Sequence, residues 1–138
     1  MNIVLDTNVI VSGFLNPCGA PGKIVQMVSS GVLSLCYDAR IISEYKKVLH
    51  RSKFDFDPVE VVAFLEQVQT DGKVIASEPL KVSLPDPYDE SFLEVAISAN
   101  VQYLVTGNIK HFPLKYRKEV HTVLPSEFLT VYRRSKHA

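Results

Sequence analysis

The amino-acid sequence predicts an α/β fold whose central parallel sheet is covered by helices on both faces. Two observations predict it. Runs such as Asn2-Ile3-Val4-Leu5 and Tyr103-Leu104-Val105-Thr106 place apolar residues at successive positions, as strands buried on both faces do. Between such runs lie stretches with apolar residues at helical spacing, and strand–helix alternation implies parallel pairing through right-handed crossovers. The 138 residues suit one core, since single domains typically hold about 100 to 150. The expectation is one domain over 1–138, with its core reaching to about residue 129 and a short basic tail over 130–138.

Taken in order, the first strand ends at Asp6, and a stretch punctuated by Gly13, Pro17, Gly19, Pro21 and Gly22 follows it. Lys23 to Ser29 carries Ile24, Val25 and Val28 at helical spacing, with Gly31 placed to close the helix. Val32 to Tyr37 reads as a second strand and Ala39 to His50 as an amphipathic helix. Val59 to Val68 repeats that pattern behind Asp57-Pro58, a proline tolerated in a first turn. Val74-Ile75-Ala76 is a third strand. Pro79, Pro85 and Pro87 impose an extended connection before a helix from about Asp89 to Ala99. Tyr103 to Thr106 and Val120 to Leu124 are strands, and Ser126 to Tyr132 is a last helix.

Composition limits the function. A hydrophobic fraction of 46% with 22% charged residues excludes a disordered or coiled-coil chain. Lys plus Arg and Asp plus Glu number 15 each, so the net charge is zero and a bulk polycation is excluded. Cys18 and Cys36 are too few and too isolated for a disulfide framework or a zinc knuckle, and read as free thiols of a reducing compartment. Asp6 interrupts the first apolar run, no basic leader precedes it, and nothing approaches the roughly 18 apolar residues of a membrane span. A soluble, cytoplasmic chain without membrane contact is expected.

Ligands of open α/β sheets bind outside the carboxyl ends of the strands, which directs attention to Asp6-Thr7-Asn8 and Gly107-Asn108. Two helices add acids to that edge. At about 100° per residue, Ile41, Ile42, Tyr45, Val48 and Leu49 fill an arc of roughly 120°, and Glu44 lies about 40° outside it. In the later helix Asp89 projects into the middle of the apolar face formed by Phe92, Leu93, Val95 and Ala96, Glu90 borders it, and Glu94 faces solvent. Each acid has a plain structural alternative: Glu44 reaches past the core margin, Asp89 complements the helix start, and Asp6 makes a local turn. Asp86 is the alternative cap for that helix. Together, Asp6, Glu44 and Asp89 predict one acidic pocket whose hard oxygen donors suit Mg²⁺ or Mn²⁺.

The blocks Asn2-Ile3-Val4-Leu5-Asp6-Thr7-Asn8-Val9, Ser43-Glu44-Tyr45, Asp86-Pro87-Tyr88-Asp89-Glu90-Ser91-Phe92-Leu93-Glu94-Val95-Ala96 and Tyr103-Leu104-Val105-Thr106-Gly107-Asn108 resemble, in order, the PIN-domain nucleases. The likeness runs from Met1 to about Leu129 and is to the branch of toxins in toxin–antitoxin systems, akin to VapC. It implies a three-layer α/β/α sandwich and a Mg²⁺- or Mn²⁺-dependent ribonuclease that leaves a 5′-phosphate and a 3′-hydroxyl. Asp6, Glu44 and Asp89 match the catalytic and metal-holding acids, with Glu90 the alternative third acid. Asn108 stands where the family often has a fourth acid, and brings an amide oxygen without charge. Thr7, Asn8 and Thr106 would orient the carboxylates.

Lys110, His111, Lys115, Arg117 and Lys118 follow closely and are candidates to hold substrate phosphates, as are Lys46, Lys47, Arg51 and Lys53. The resemblance further implies an RNA substrate, a cognate antitoxin entering the acidic groove, and a homodimer. Phe14, Phe54 and Phe56 are candidates for such an interface. Two alternatives stand beside it. A phosphatase of the haloacid-dehalogenase type also opens on an aspartate after a buried strand, but wants a second aspartate where Asn8 stands. A PIN-fold module that binds RNA or an antitoxin without cutting is favoured by Asn108.

Overall fold

The computed structural model describes residues 1–137. Five parallel strands lie in the order β3-β2-β1-β4-β5, and helices cover the sheet as a three-layer α/β/α sandwich. The strands are β1 (Asn2–Leu5), β2 (Ser34–Tyr37), β3 (Lys73–Val74), β4 (Tyr103–Val105) and β5 (His121–Val123). The helices are α1 (Thr7–Leu15), α2 (Ala20–Ser29), α3 (Ala39–Leu49), α4 (Pro58–Asp71), α5 (Glu90–Ser98) and α6 (Pro125–His137). β1 is central: Ile3 pairs with Leu35 of β2, and Val4 and Leu5 pair with Leu104 and Val105 of β4. Ile3, Val4 and Leu5 are wholly buried, which is why this strand is apolar without alternation.

Local chemistry fixes the helix starts. The Asp38 side chain accepts from the N–H groups of Arg40 and Ile41 at 3.0 and 3.1 Å to begin α3. Asp57 accepts from Val59 N–H at 2.9 Å, with Pro58 in the first turn of α4. No helix among the described residues is long and apolar enough to cross a membrane.

The structure corrects the sequence reading at six places, of which one is the third strand, which pairs with β2 over Lys73–Val74 and not over 74–76. Thr7–Leu15 is a helix, not a punctuated loop, because Gly13 serves a close helix crossing rather than a turn: a Cβ there would lie 2.6 Å from Val25 Cγ2 and 2.8 Å from the Pro21 carbonyl oxygen. The expected helix from Asp89 begins as a 3₁₀ turn, Pro87–Asp89, and becomes α-helical at Glu90. Glu94 does not face solvent. It is buried, with Oε1 2.8 Å from Arg40 Nη1 and Oε2 accepting from Leu80 N–H at 2.9 Å. The cause is the proline-rich connection, which crosses the outer side of α5 and buries Leu84 as well. Phe14, Phe54 and Phe56 are half-buried and packed on one another, not fully exposed. Phe14 and Phe56 sit with ring centroids 5.3 Å apart, Phe54 stacks on Phe56 at 5.2 Å, and Phe14 meets Phe64 edge-on at 5.6 Å. The tail from residue 130 continues α6 as far as His137.

Gly13 gives a test whose sign is diagnostic. Helix propensity alone would make Gly13→Ala stabilising by about 1 kcal/mol. The close approach of α2 instead makes it destabilising by about 1 to 3 kcal/mol, because backbone as well as side chain must shift. Urea denaturation of the two proteins decides between them.

Candidate active site

The parallel ladder sets the position of Asp6. Its backbone N–H donates to the Val105 carbonyl at 2.9 Å, so the residue after β1 is held against the end of β4. Its carboxylate is almost wholly buried, and Oδ2 accepts from Thr106 Oγ1 at 2.8 Å and from Asn8 Nδ2 at 3.3 Å. Gly107 N–H donates to Asn8 Oδ1 at 3.1 Å, and Asn108 N–H to Thr106 Oγ1 at 3.0 Å. The two strand ends and their following turns thus form one hydrogen-bonded network around a single carboxylate.

Glu44 is half-buried on α3 and accepts from the Thr7 hydroxyl. The next residue, Tyr45, is completely buried and donates its O–H to the carbonyl of Leu5, fastening α3 to the strand end that carries Asp6. Asp89 closes the 3₁₀ turn, is buried, and places Oδ2 2.9 Å from Nδ1 of His111. Asp86 caps the same turn by accepting from Tyr88 N–H at 3.0 Å. Donor atoms of Asp86, Asp89 and His111 lie within 4.8 Å of one another.

Burial pushes the Asp6 carboxyl up to about 6, and the charges of Asp89 and Glu44 add to the rise against the hydrogen bonds from Thr106 and Asn8. Asp89 is raised first by burial and then by the charge of Asp86, with His111 opposing and Glu44 adding. Tyr45 is raised well above its ordinary range by burial and by the neighbouring Asp6 and Glu44. Among the described residues no Lys or Arg lies within ion-pair distance of Asp6, Glu44, Asp86 or Asp89, while Arg40 is engaged by Asp38 at 2.6 Å and Glu94 at 2.8 Å. Carboxylates that repel one another and have no lysine or arginine partner fit a divalent ion. Among the described residues, the donor atoms close enough together to share one ion are those of Asp86, Asp89 and His111, while Asp6 and Glu44 stand near enough to act on Asp89 by charge and could add hard oxygens from that side.

The remaining residues singled out in the sequence fall in different places. Glu90 turns its carboxylate to Leu84 N–H, 3.2 Å away, on the proline-rich connection. Asn108 is exposed; its backbone N–H donates to Thr106 Oγ1 and its carbonyl accepts from His111 N–H at 3.0 Å. Lys110 and Lys115 are exposed on successive 3₁₀ turns, and Lys115 Nζ stands 5.0 Å from the centre of the Tyr116 ring. Arg117 directs Nε to the Phe112 carbonyl and Nη2 to that of Ile109, so its guanidinium ties the loop together. Lys46, Lys47, Arg51 and Lys53 are exposed. Sequence reasoning treated Asp86 only as a helix cap. Its separation from Asp89 by one tight turn was the available signal that both could face one ion.

The sequence matches the PIN domain family over residues 2–110, a span that contains Asp6, Glu44, Asp86 and Asp89. The chain belongs to that family, whose members are generally metal-dependent nucleases. No curated protein matches it.

A pH titration of stability tests the electrostatics. The Asp6 carboxyl ionises at about 6 when folded and at about 3.8 when unfolded, so its contribution is complete below the lower value and is lost as pH rises through the higher one. For chelator-treated protein, this group makes pH 8 less stable than pH 4 by about 2 kcal/mol. Asp6→Asn removes that dependence and raises the melting temperature of the metal-free protein at pH 8. Equal pH profiles for the two proteins would contradict the account.

Proposed function

We propose that this chain is a Mg²⁺- or Mn²⁺-dependent endoribonuclease that hydrolyses RNA phosphodiesters to 5′-phosphate and 3′-hydroxyl ends, acting in the cytoplasm as the toxin of a type II toxin–antitoxin pair. The observation that supports the reading is the convergence of Asp6, Glu44 and Asp89 from β1, α3 and the turn before α5, with burial and mutual repulsion left unrelieved by any lysine or arginine among the described residues. Membership of the PIN domain family supports it independently. A cognate antitoxin and a homodimer belong to the proposal through the resemblance in sequence.

A divalent ion held by these carboxylates would supply Lewis acidity and make bound water acidic enough to attack a phosphodiester. The chain's own groups set the stage. Asp6 is kept from rotating by Thr106 and Asn8, and Glu44 by Thr7. Asp89 holds the His111 ring by Nδ1 and fixes its orientation beside the carboxylates. Lys110, exposed on the adjacent turn, offers a further cation to the RNA backbone. Asn8 spends both ends of its amide on Asp6 and Gly107, a supporting role that differs from the acid a dehalogenase-type phosphatase needs there.

The test is cleavage of a fluorescent RNA in Mn²⁺ or Mg²⁺. Activity should vanish on chelation and in Asp6→Asn and Asp89→Asn. Thr106→Val, which only loosens Asp6, should cost about 10- to 100-fold in metal affinity or rate. Cleavage that survives chelator would overturn metal dependence. RNA or antitoxin binding without cleavage would favour the non-cutting module that the uncharged Asn108 allows. Light scattering at micromolar concentration checks the dimer, against which a monomeric mass would count.

A further inference from the structure

Between Val74 and Pro87 the chain forms neither helix nor strand, and Pro79 and Pro85 interrupt it. Its backbone N–H groups must therefore find acceptors outside a ladder. Three of them find side chains of α5: Glu78 N–H donates to Ser98 Oγ at 3.2 Å, Leu80 N–H to Glu94 Oε2 at 2.9 Å, and Leu84 N–H to Glu90 Oε2 at 3.2 Å. Glu90, Glu94 and Ser98 follow one another at a spacing of four residues, so they line a single stripe of the helix at intervals of about 6 Å. The earliest donor meets the latest acceptor. The connection thus runs back along α5 toward its first turn, where it delivers Asp86 beside Asp89.

Glu94 is the middle rung and the one that also holds a cation. It is buried, with Oε1 2.8 Å from Arg40 Nη1 while Oε2 serves Leu80. Arg40 in turn reaches Asp38 at 2.6 Å and Ser77 Oγ at 3.2 Å, so one guanidinium joins the start of α3, the start of the connection and α5. Arg40 stands one turn before Glu44 on α3, about 6 Å along the axis. The pair therefore bridges the helix that carries Glu44 and the helix that follows Asp89. Apolar groups of the same size would stabilise the fold about as well as a buried ion pair. What they would not supply is an acceptor for Leu80 N–H.

We propose that Glu94 is a positioning residue for the metal-holding acids: paired with Arg40 and flanked by Glu90 and Ser98, it lashes the connection to α5 and so sets where Asp86 and Asp89 meet the ion. The inference rests on the metal-dependent reading above and deepens it. Glu94 itself lies five residues beyond Asp89 and touches no ion; it acts through the backbone of Leu80 and the chain that leads from there to Asp86.

The experiment uses the full chain, with Mn²⁺ affinity measured by calorimetry and hydrogen exchange over residues 78–84 read by mass spectrometry. The double variant Arg40→Met, Glu94→Leu exchanges the pair for apolar groups and should fold, yet lose about tenfold or more in Mn²⁺ affinity. Arg40→Met, Glu94→Gln returns an amide oxygen to Leu80 and should recover most of that loss. Coupling between two sites is reciprocal, so saturating Mn²⁺ should slow exchange over 78–84 in the wild type by about the same factor, a measurement that needs no variant. Exchange at the start of α4, where Asp57 caps Val59 N–H, should stay as it was. Wild-type Mn²⁺ affinity in the double variant, or exchange over 78–84 that ignores the ion, would overturn the positioning role. RNA cleavage is scored separately, and a double variant that cuts and binds Mn²⁺ as the wild type does would sink the positioning role alone. A wild-type chain that takes up no Mn²⁺ would overturn it together with the metal-dependent reading.

Discussion

The carboxylate of Asp6, buried at the end of the central strand without an organic counter-ion, is the constraint on which the rest of the site depends. A charge in that position is tolerated only where the surrounding frame cannot relax away from it. The frame here is rigid for identifiable reasons. β1 is flanked on both sides by strands, its last residues are wholly buried, and the backbone of Asp6 itself is bonded to Val105. Tyr45 completes the restraint by tying α3 to Leu5, so the helix that carries Glu44 cannot drift from the strand that carries Asp6. Binding energy for a cation is thus stored in the fold as unrelieved repulsion, and the hydrophobic core opposes it.

Much of this frame was legible in the sequence, because it rests on patterns with short periods. Strands buried on both faces and one-sided helices announce themselves through apolar spacing alone. α1 did not, since Gly13 carries two opposite meanings: in a loop it permits a turn, and in a helix it permits another helix to come close. Only the position of α2, distant from any local signal, selects the second meaning. Glu94 misled for a related reason. Its angle on α5 is that of a solvent-facing residue, and the segment that buries it is a connection with no periodicity to read. β3 shrank to two residues because an edge strand needs only enough ladder to meet Tyr37.

The site divides along the same line. Asp6, Glu44 and Asp89 could be singled out as candidates because each breaks or borders an apolar pattern, which is a local event. The neighbourhood of Asp86 and His111 could not, since it arises from two irregular turns brought together across α5 and β4. Arg117 illustrates the limit for charges. In a sequence it is one more cation near the site, whereas in the fold its donors belong to the carbonyls of its own loop. Charge can be counted from sequence, but whether it is available depends on what the neighbouring backbone has already claimed.

The hydrogen bond between Asp6 and Thr106 joins residues 100 positions apart. On a ribosome adding about 5 to 20 residues per second, the first acid is made some 5 to 20 seconds before its partner. Until then β1 lacks one of its two neighbours in the sheet, and Asp6 has neither the Thr106 hydroxyl nor the Val105 carbonyl to hold it. A growing chain therefore holds the carboxylates before it holds the arrangement, and the site is complete only after the strand that carries Thr106 has joined the sheet.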